Sequence, residues 1–138
     1  MGRTDIVRFQ PRSMPRSEAP FAQVVIDDRY AFLAGLVAAD FPEGAAVLGD
    51  ISAETHAVMQ MIESILAELR LGMDSVVRAE VHLATLDDFD AMDSAYRQFF
   101  AGGEFPARTT TQSDKLFGGS LVEVTCQARL TDSSGLSQ

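Results

Sequence analysis

The chain has 138 residues, 46% hydrophobic and 22% charged, which is the balance of one globular domain able to bury a core. Its formal net charge is −9, and its densest cationic run is Arg3, Arg8, Arg12 and Arg16, so no nucleic-acid partner is expected. A single cysteine excludes an internal disulfide, residues 1–12 lack the apolar run of a secretory signal, and the apolar run 30–39 is too short to span a bilayer. The expectation is a cytoplasmic protein with no membrane partner.

Residues 4–9, TDIVRF, alternate weakly and read as a first strand. Residues 10–20 are rich in proline and serine and read as a connecting loop. Residues 23–26 and 30–37 flank the turn Asp27-Asp28-Arg29 and read as a hairpin. Residues 40–50 contain Pro42, Gly44 and Gly49 and read as loop. Val58, Met61, Ile62, Ile65, Leu66 and Leu69 recur at helical spacing, which predicts a helix capped by Asp50 and ended by Gly72. Residues 75–84 then alternate, with Val77, Ala79, Val81 and Leu83 against Arg78, Glu80 and His82, as a strand with one apolar face does. Thr85 and Asp88 resemble a capping box for a second helix. The apolar stripe of that helix is Phe89, Met92, Tyr96 and Phe100, and Gly102-Gly103 stop it. The tail from about residue 131 is polar.

Residues 107–114 and 121–129 are two β-prone runs about a short loop with glycines, and they read as a second hairpin. Arg108, Thr110 and Gln112 share one face of the first run. On the second, Glu123, Thr125 and Gln127 share a face, opposite Val122, Val124, Cys126 and Ala128. If the polar faces coincide, Arg108 lies across from Gln127 and Gln112 across from Glu123, which sets Arg108 and Glu123 about 13 Å apart at ~3.3 Å per residue. The order β-β-β-α-β-α-β-β predicts an α+β fold, a single mixed sheet with both helices on one face. The open face would carry Arg78, Glu80, His82, Arg108, Thr110, Gln112, Glu123, Thr125 and Gln127.

Arg108 is the leading candidate for chemistry, because a guanidinium fork suits a carboxylate in two parallel hydrogen bonds; an interface ion pair is the alternative. Glu123 is the natural general acid or base. His82 with Glu80 offers two metal ligands, which is too few, so no metal is expected. Cys126 falls on the apolar face as a core thiol, and Met59, Met61 and Met92 read as core filler. No glycine-rich phosphate loop, nucleophile elbow or CxxC is present, and no cofactor is expected.

The run Pro106-Ala107-Arg108-Thr109, then Leu116, then Gly119-Ser120-Leu121-Val122-Glu123-Val124, resembles the C-terminal signature of the Rid (YjgF-type) family. Ala19-Pro20-Phe21-Ala22-Gln23-Val24 is similar to that family's entry motif, and residues 30–36 to its third strand. The resemblance implies one chorismate-mutase-like domain over residues 1–138, assembled as a homotrimer with a cleft at each subunit boundary. It implies that Arg108 holds the carboxylate of a 2-imino or enamine acid and that Glu123 manages the water attacking C=N. The implied substrate-binding set is Arg108, Phe21, Ala34, Gly35, Asp93, Pro106 and Thr110. Phe21 replaces the family's tyrosine, Ala34 its serine, Leu36 its glutamine, Asp93 its asparagine and Thr110 its cysteine. The hydroxyls missing at Phe21 and Ala34 remove hydrogen-bond donors, which implies a more apolar cleft. The implied function is an imine or enamine deaminase. The alternatives are a non-catalytic small-ligand or regulatory trimer and, third, an endoribonuclease or translation inhibitor, against which the acidic charge counts.

Overall fold

The computed structural model describes residues 5–131, so the polar tail expected beyond them lies outside the described residues. The strands are β1 (Val7–Phe9), β2 (Val24–Asp27), β3 (Tyr30–Leu33), β4 (Leu36–Val37), β5 (Val76–Leu83), β6 (Ala107–Gln112) and β7 (Val122–Arg129). The helices are α1 (Pro42–Ala45), α2 (Ile51–Glu68) and α3 (Phe89–Arg97). One mixed sheet has the order β1-β2-β3-β7-β5-β6, and β4 also pairs with β7. This is the α+β architecture expected from the order of the elements.

Asp50 caps α2 by accepting the Ala53 N–H at 3.1 Å. The helix ends earlier than Gly72. Leu71 N–H donates to Leu66 and Arg70 N–H to Ala67, the two bonds of a Schellman closure, and Arg70 takes the left-handed position at φ +62°. Val58, Met59, Ile62, Ile65 and Leu66 of α2 are fully buried in a core shared with Val24, Ile26, Leu36, Val81, Val122 and Val124 of the sheet. Truncating a residue such as Leu66 to Ala in this layer costs about 2–5 kcal/mol. Glu54 is also fully buried on α2. Its carboxylate accepts Gly49 N–H at 2.7 Å and Leu121 N–H at 2.9 Å, joining the helix start to the entry of β7. The proline-rich loop is likewise held, because Glu68 accepts the N–H groups of Arg12 and Ser13 and the Ser13 hydroxyl. Residues 40–50 are not all loop: Pro42 occupies the first position of the short α1, where its missing N–H costs nothing.

The second hairpin does not form. β6 pairs with β5 in parallel, and β7 pairs with the other edge of β5 in antiparallel fashion. A parallel pair needs a crossover, which α3 supplies between β5 and β6. Residues 113–121 then carry the chain past β5 to its far side. Extended, they reach much further than the two strand spacings, about 10 Å, that separate β6 from β7.

This pairing moves three side chains. Ala79 aligns with Arg108, Val81 with Thr110 and Leu83 with Gln112. Ala79, Val81 and Leu83 are buried beneath the helices, so Arg108, Thr110 and Gln112 lie on the helix face and not on the open face. Thr109 and Thr111 take the open face instead. Arg78 donates to Thr109 Oγ1 at 2.8 Å, and His82 Nδ1 shares a 2.7 Å hydrogen bond with Thr111 Oγ1. The alternation in β5 also shifts at its start. A register break between Val76 and Arg78 leaves Val76 in the core and turns Val77 outward.

The strand expected over 30–37 is interrupted at Ala34-Gly35. Phe32 aligns with Gln127 and Leu36 with Val124, so four steps along one strand face three along the other. Among the described residues no helix is long and apolar enough to cross a membrane.

Candidate functional site

The expected site residues fall into two groups at different places in the chain. The first surrounds Arg108. β6 is the edge strand, and α3 crosses behind it, so an arginine on its helix face meets the α3 side chains. Arg108 Nη2 lies 2.7 Å from Asp93 Oδ1. The other oxygen of Asp93 accepts from Arg97, one turn later on α3, at 3.2 Å. Burial pushes the Asp93 carboxyl upward, but hydrogen bonds and charge from Arg108 and Arg97 outweigh it and hold the group below the usual carboxylate range.

The Arg108 guanidinium stands 4.7 Å from the centre of the Tyr96 ring and 5.6 Å from that of Phe89. It lies over the Tyr96 ring face, and the Tyr96 hydroxyl is buried without a hydrogen-bond partner. Burial pushes that hydroxyl up to about 12. Two residues along β6, the Thr110 hydroxyl is also buried and unpartnered. Asp93, Tyr96, Arg97, Phe105, Pro106 and Arg108 line a cavity of about 230 Å³.

The second group surrounds Gly35. Phe21, Ala34 and Gly35 line a cavity of about 610 Å³, together with Met14, Phe117 and Asp40. The pinned proline-rich loop forms one wall, and Phe117, 73% exposed, hangs over it from the loop between β6 and β7. Burial raises the Asp40 carboxyl above its ordinary range, partly offset by the Val37 N–H at 3.3 Å. Glu123 lies behind Gly35. A methyl on Gly35 would fall within contact of Glu123 Oε2 and 3.0 Å from Thr125 Oγ1, so the interruption of the strand there makes room for the carboxylate. On the neighbouring strand β5, His82 stands opposite Glu123.

Arg108, Asp93 and Pro106 therefore come together, and so do Phe21, Ala34, Gly35 and Glu123. Gly35, between β3 and β4, is three strand spacings or about 14 Å from β6, and Glu123 on β7 is two spacings or about 10 Å from it. Among the described residues, no group of three or more His, Cys, Asp or Glu side chains is placed to hold a metal ion.

Residues 11–130 match the model of the family described as Endoribonuclease L-PSP. The chain belongs to the Rid family. It is 32% identical over 110 residues to a RutC family protein of Pyrococcus abyssi, covering 80% of this chain and 86% of that protein. Over 110 residues it is 31% identical to the protein named 2-iminobutanoate/2-iminopropanoate deaminase of Homo sapiens, covering 80% of each. A solved structure titled as a putative endoribonuclease L-PSP of Entamoeba histolytica superposes with a TM-score of 0.83 at 26% identity, over 91% of this chain and 100% of that one. A Rid family protein of Yersinia pestis shares the fold, with a TM-score of 0.83 at 21% identity over 91% of this chain and 100% of that one.

Several residues of this Rid chain enter the two cavities without having been singled out in the sequence. Arg97 carried a signal, since it stands four residues after Asp93 on a helix and such pairs face each other. Tyr96 read only as core, although it also supplies the ring beneath Arg108. Phe105 and Phe117 lie outside regular periodicity, and nothing local marks them as cavity walls. Asp40 lay in what read as loop.

Proposed function

We propose that this Rid protein hydrolyses small 2-imino or enamine acids to the ketoacid and ammonia, at sites completed between subunits of a homotrimer. One subunit contributes the Arg108 pocket and its neighbour the cavity at Gly35, with Glu123 behind it. One observation carries this reading: β5 lies between the strands of Arg108 and Glu123, and the two occupy opposite sheet faces, so no small molecule bridges them within one chain. Cyclic closure of three chains, with the β6 edge of one set against the open face of the next, brings unlike half-sites together without open-ended assembly.

The chemistry follows from the groups at hand. The ligand carboxylate takes hydrogen bonds from Arg108 in a pocket walled by Tyr96 and Phe105. Glu123 accepts a proton from the attacking water as its oxygen bonds to the imine carbon. Glu123 returns that proton to nitrogen, giving a carbinolamine. It then carries the carbinol hydroxyl proton to the same nitrogen as C=O forms and the C–N bond breaks, and ketoacid and ammonia leave. The activity is the one printed in the names of relatives such as the human deaminase. A cytoplasmic location accords with Cys126, a buried free thiol.

A second reading, a trimer that binds a small carboxylate without turnover, draws on Phe21 and Ala34, which bring no hydroxyl to the large cavity. The deciding experiment generates 2-imino acids in situ from amino acids and measures the added ketoacid release. No rate above buffer for any side chain excludes the deaminase. The interfacial site is tested by mixing Arg108→Ala and Glu123→Ala subunits under exchange conditions. Partial recovery of ligand binding is expected, and a monomer that still binds ligand refutes the arrangement.

A further inference from the structure

Arg108 already holds a carboxylate, and that carboxylate is its own chain's. Asp93 Oδ1 sits 2.7 Å from Arg108 Nη2, while Asp93 Oδ2 is held separately by Arg97 at 3.2 Å. The Asp93 and Arg108 side chains are only 25% and 20% exposed, whereas Arg97 is 59% exposed. Each oxygen of Asp93 thus serves a different arginine. If Arg108 lets go, Asp93 keeps Arg97, its neighbour at i+4 on the same helix. The two arrangements, Asp93 bridging both arginines or paired with Arg97 alone, differ by one ion pair. A ligand carboxylate entering the pocket meets the Asp93 charge at the same guanidinium, and like charges at this range repel appreciably where water is partly excluded.

We propose that Asp93 is a specificity-determining gate: an internal carboxylate that occupies Arg108 until a ligand carboxylate replaces it, with Arg97 retaining the displaced Asp93. The three groups sum to one positive charge, so the pocket matches a monocarboxylate. Its apolar remainder faces Tyr96 and Phe105, and a dicarboxylate is disfavoured. The inference rests on the reading of Arg108 as carboxylate anchor, and the test separates the two.

The test is calorimetric binding of 2-oxobutanoate, a small monocarboxylate probe, to the assembled protein and its variants, with circular dichroism confirming the fold. Asp93→Asn, which keeps the shape and removes the charge, is expected to tighten binding about tenfold or more. Arg97→Gln is expected to weaken it several-fold, because Asp93 then depends on Arg108 alone. In the Asp93→Asn background the same Arg97→Gln change should alter binding by less than about twofold, since no carboxylate remains to be retained. An Arg97 that contacted the probe directly would keep its full effect there, and that result overturns the gate. Binding unchanged or weaker in Asp93→Asn, with Arg108→Ala abolishing it, sinks the gate and leaves the anchor standing. Binding indifferent to Arg108→Ala overturns both. Should Asp93→Asn fail to fold, side-chain nitrogen NMR on the wild type decides. The Arg108 resonance should shift on probe addition while Arg97 keeps its ion-paired position, and an unmoved Arg108 resonance overturns the proposal.

Discussion

Arg108 and Glu123 stand on opposite faces of one sheet, with β5 between their strands. Arg108 aligns with the buried Ala79, and Glu123 aligns with His82 on the open face. Each therefore has a different support. Arg108 is set by the side chains of α3, and Glu123 by the backbone of the interrupted strand at Gly35.

Gly35→Ala tests the second support. The new methyl displaces the far end of the Glu123 side chain, which is flexible, while the backbone at Gly35 needs no left-handed conformation. Stability should fall by no more than about 1–2 kcal/mol. Turnover should fall about tenfold or more if the carboxylate position matters to the chemistry. Paired denaturation and ketoacid-release measurements check this, and equal activity in the variant would refute the role given to Glu123.

Phe21→Tyr combined with Ala34→Ser restores two hydroxyls to the wall of the large cavity. Imino-acid hydrolysis should rise in the double variant if missing donors limit the rate. The assay is ketoacid release across a series of amino-acid precursors. An unchanged or lower rate places the limitation elsewhere, with Asp93 the next position to change.

Cys126 is buried, and burial pushes its thiol up to about 12 from an ordinary value of 9.0. The raised value means that the folded state keeps the proton longer than the unfolded chain. This contribution is fully present below about pH 9 and is lost as the pH climbs toward about 12, so the denaturant midpoint should decline over that window. Tyr96, raised to about 12 by burial, adds in the same direction above its ordinary value of 10.0. At pH 8 the native thiol should resist a disulfide reagent and react only on unfolding. Rapid labelling of the folded protein would contradict its placement.

Glu54→Ala should be among the costliest single changes. It opens a cavity at a fully buried position and strips acceptors from the Gly49 and Leu121 N–H groups. A loss of about 2–4 kcal/mol is expected, mostly from the void at Glu54, with a smaller part from two partly buried donors left unpaired. Equilibrium urea unfolding measures it, and a loss below about 1 kcal/mol would show that water replaces the carboxylate at little cost.

Much of this molecule is legible in the chain itself. The stripe Val58, Met61, Ile62, Ile65, Leu66 and Leu69 marks α2, and the alternation over 122–129 marks which side chains of β7 go inward. Asp50 announces the helix start. These are local periodicities, set by 3.6 and 2 residues per repeat, and they survive whatever the strand pairs with. The family signature around Arg108 and Glu123 is equally a property of the sequence. Strand partnership is different. Residues 107–112 favour extended backbone beside any free edge, and a short glycine-bearing loop suggested β7 as the partner, yet α3 returned the chain to the far side of β5. That choice turned Arg108 to the helix face and onto Asp93, fifteen residues earlier in the chain. The bulge at Val77 and the break at Gly35 are likewise register effects, created only where two strands of unequal local length meet. Periodicity within a segment is dictated by neighbours along the chain. The opposing partner is decided by burying the whole apolar surface at once, which only the tertiary structure does.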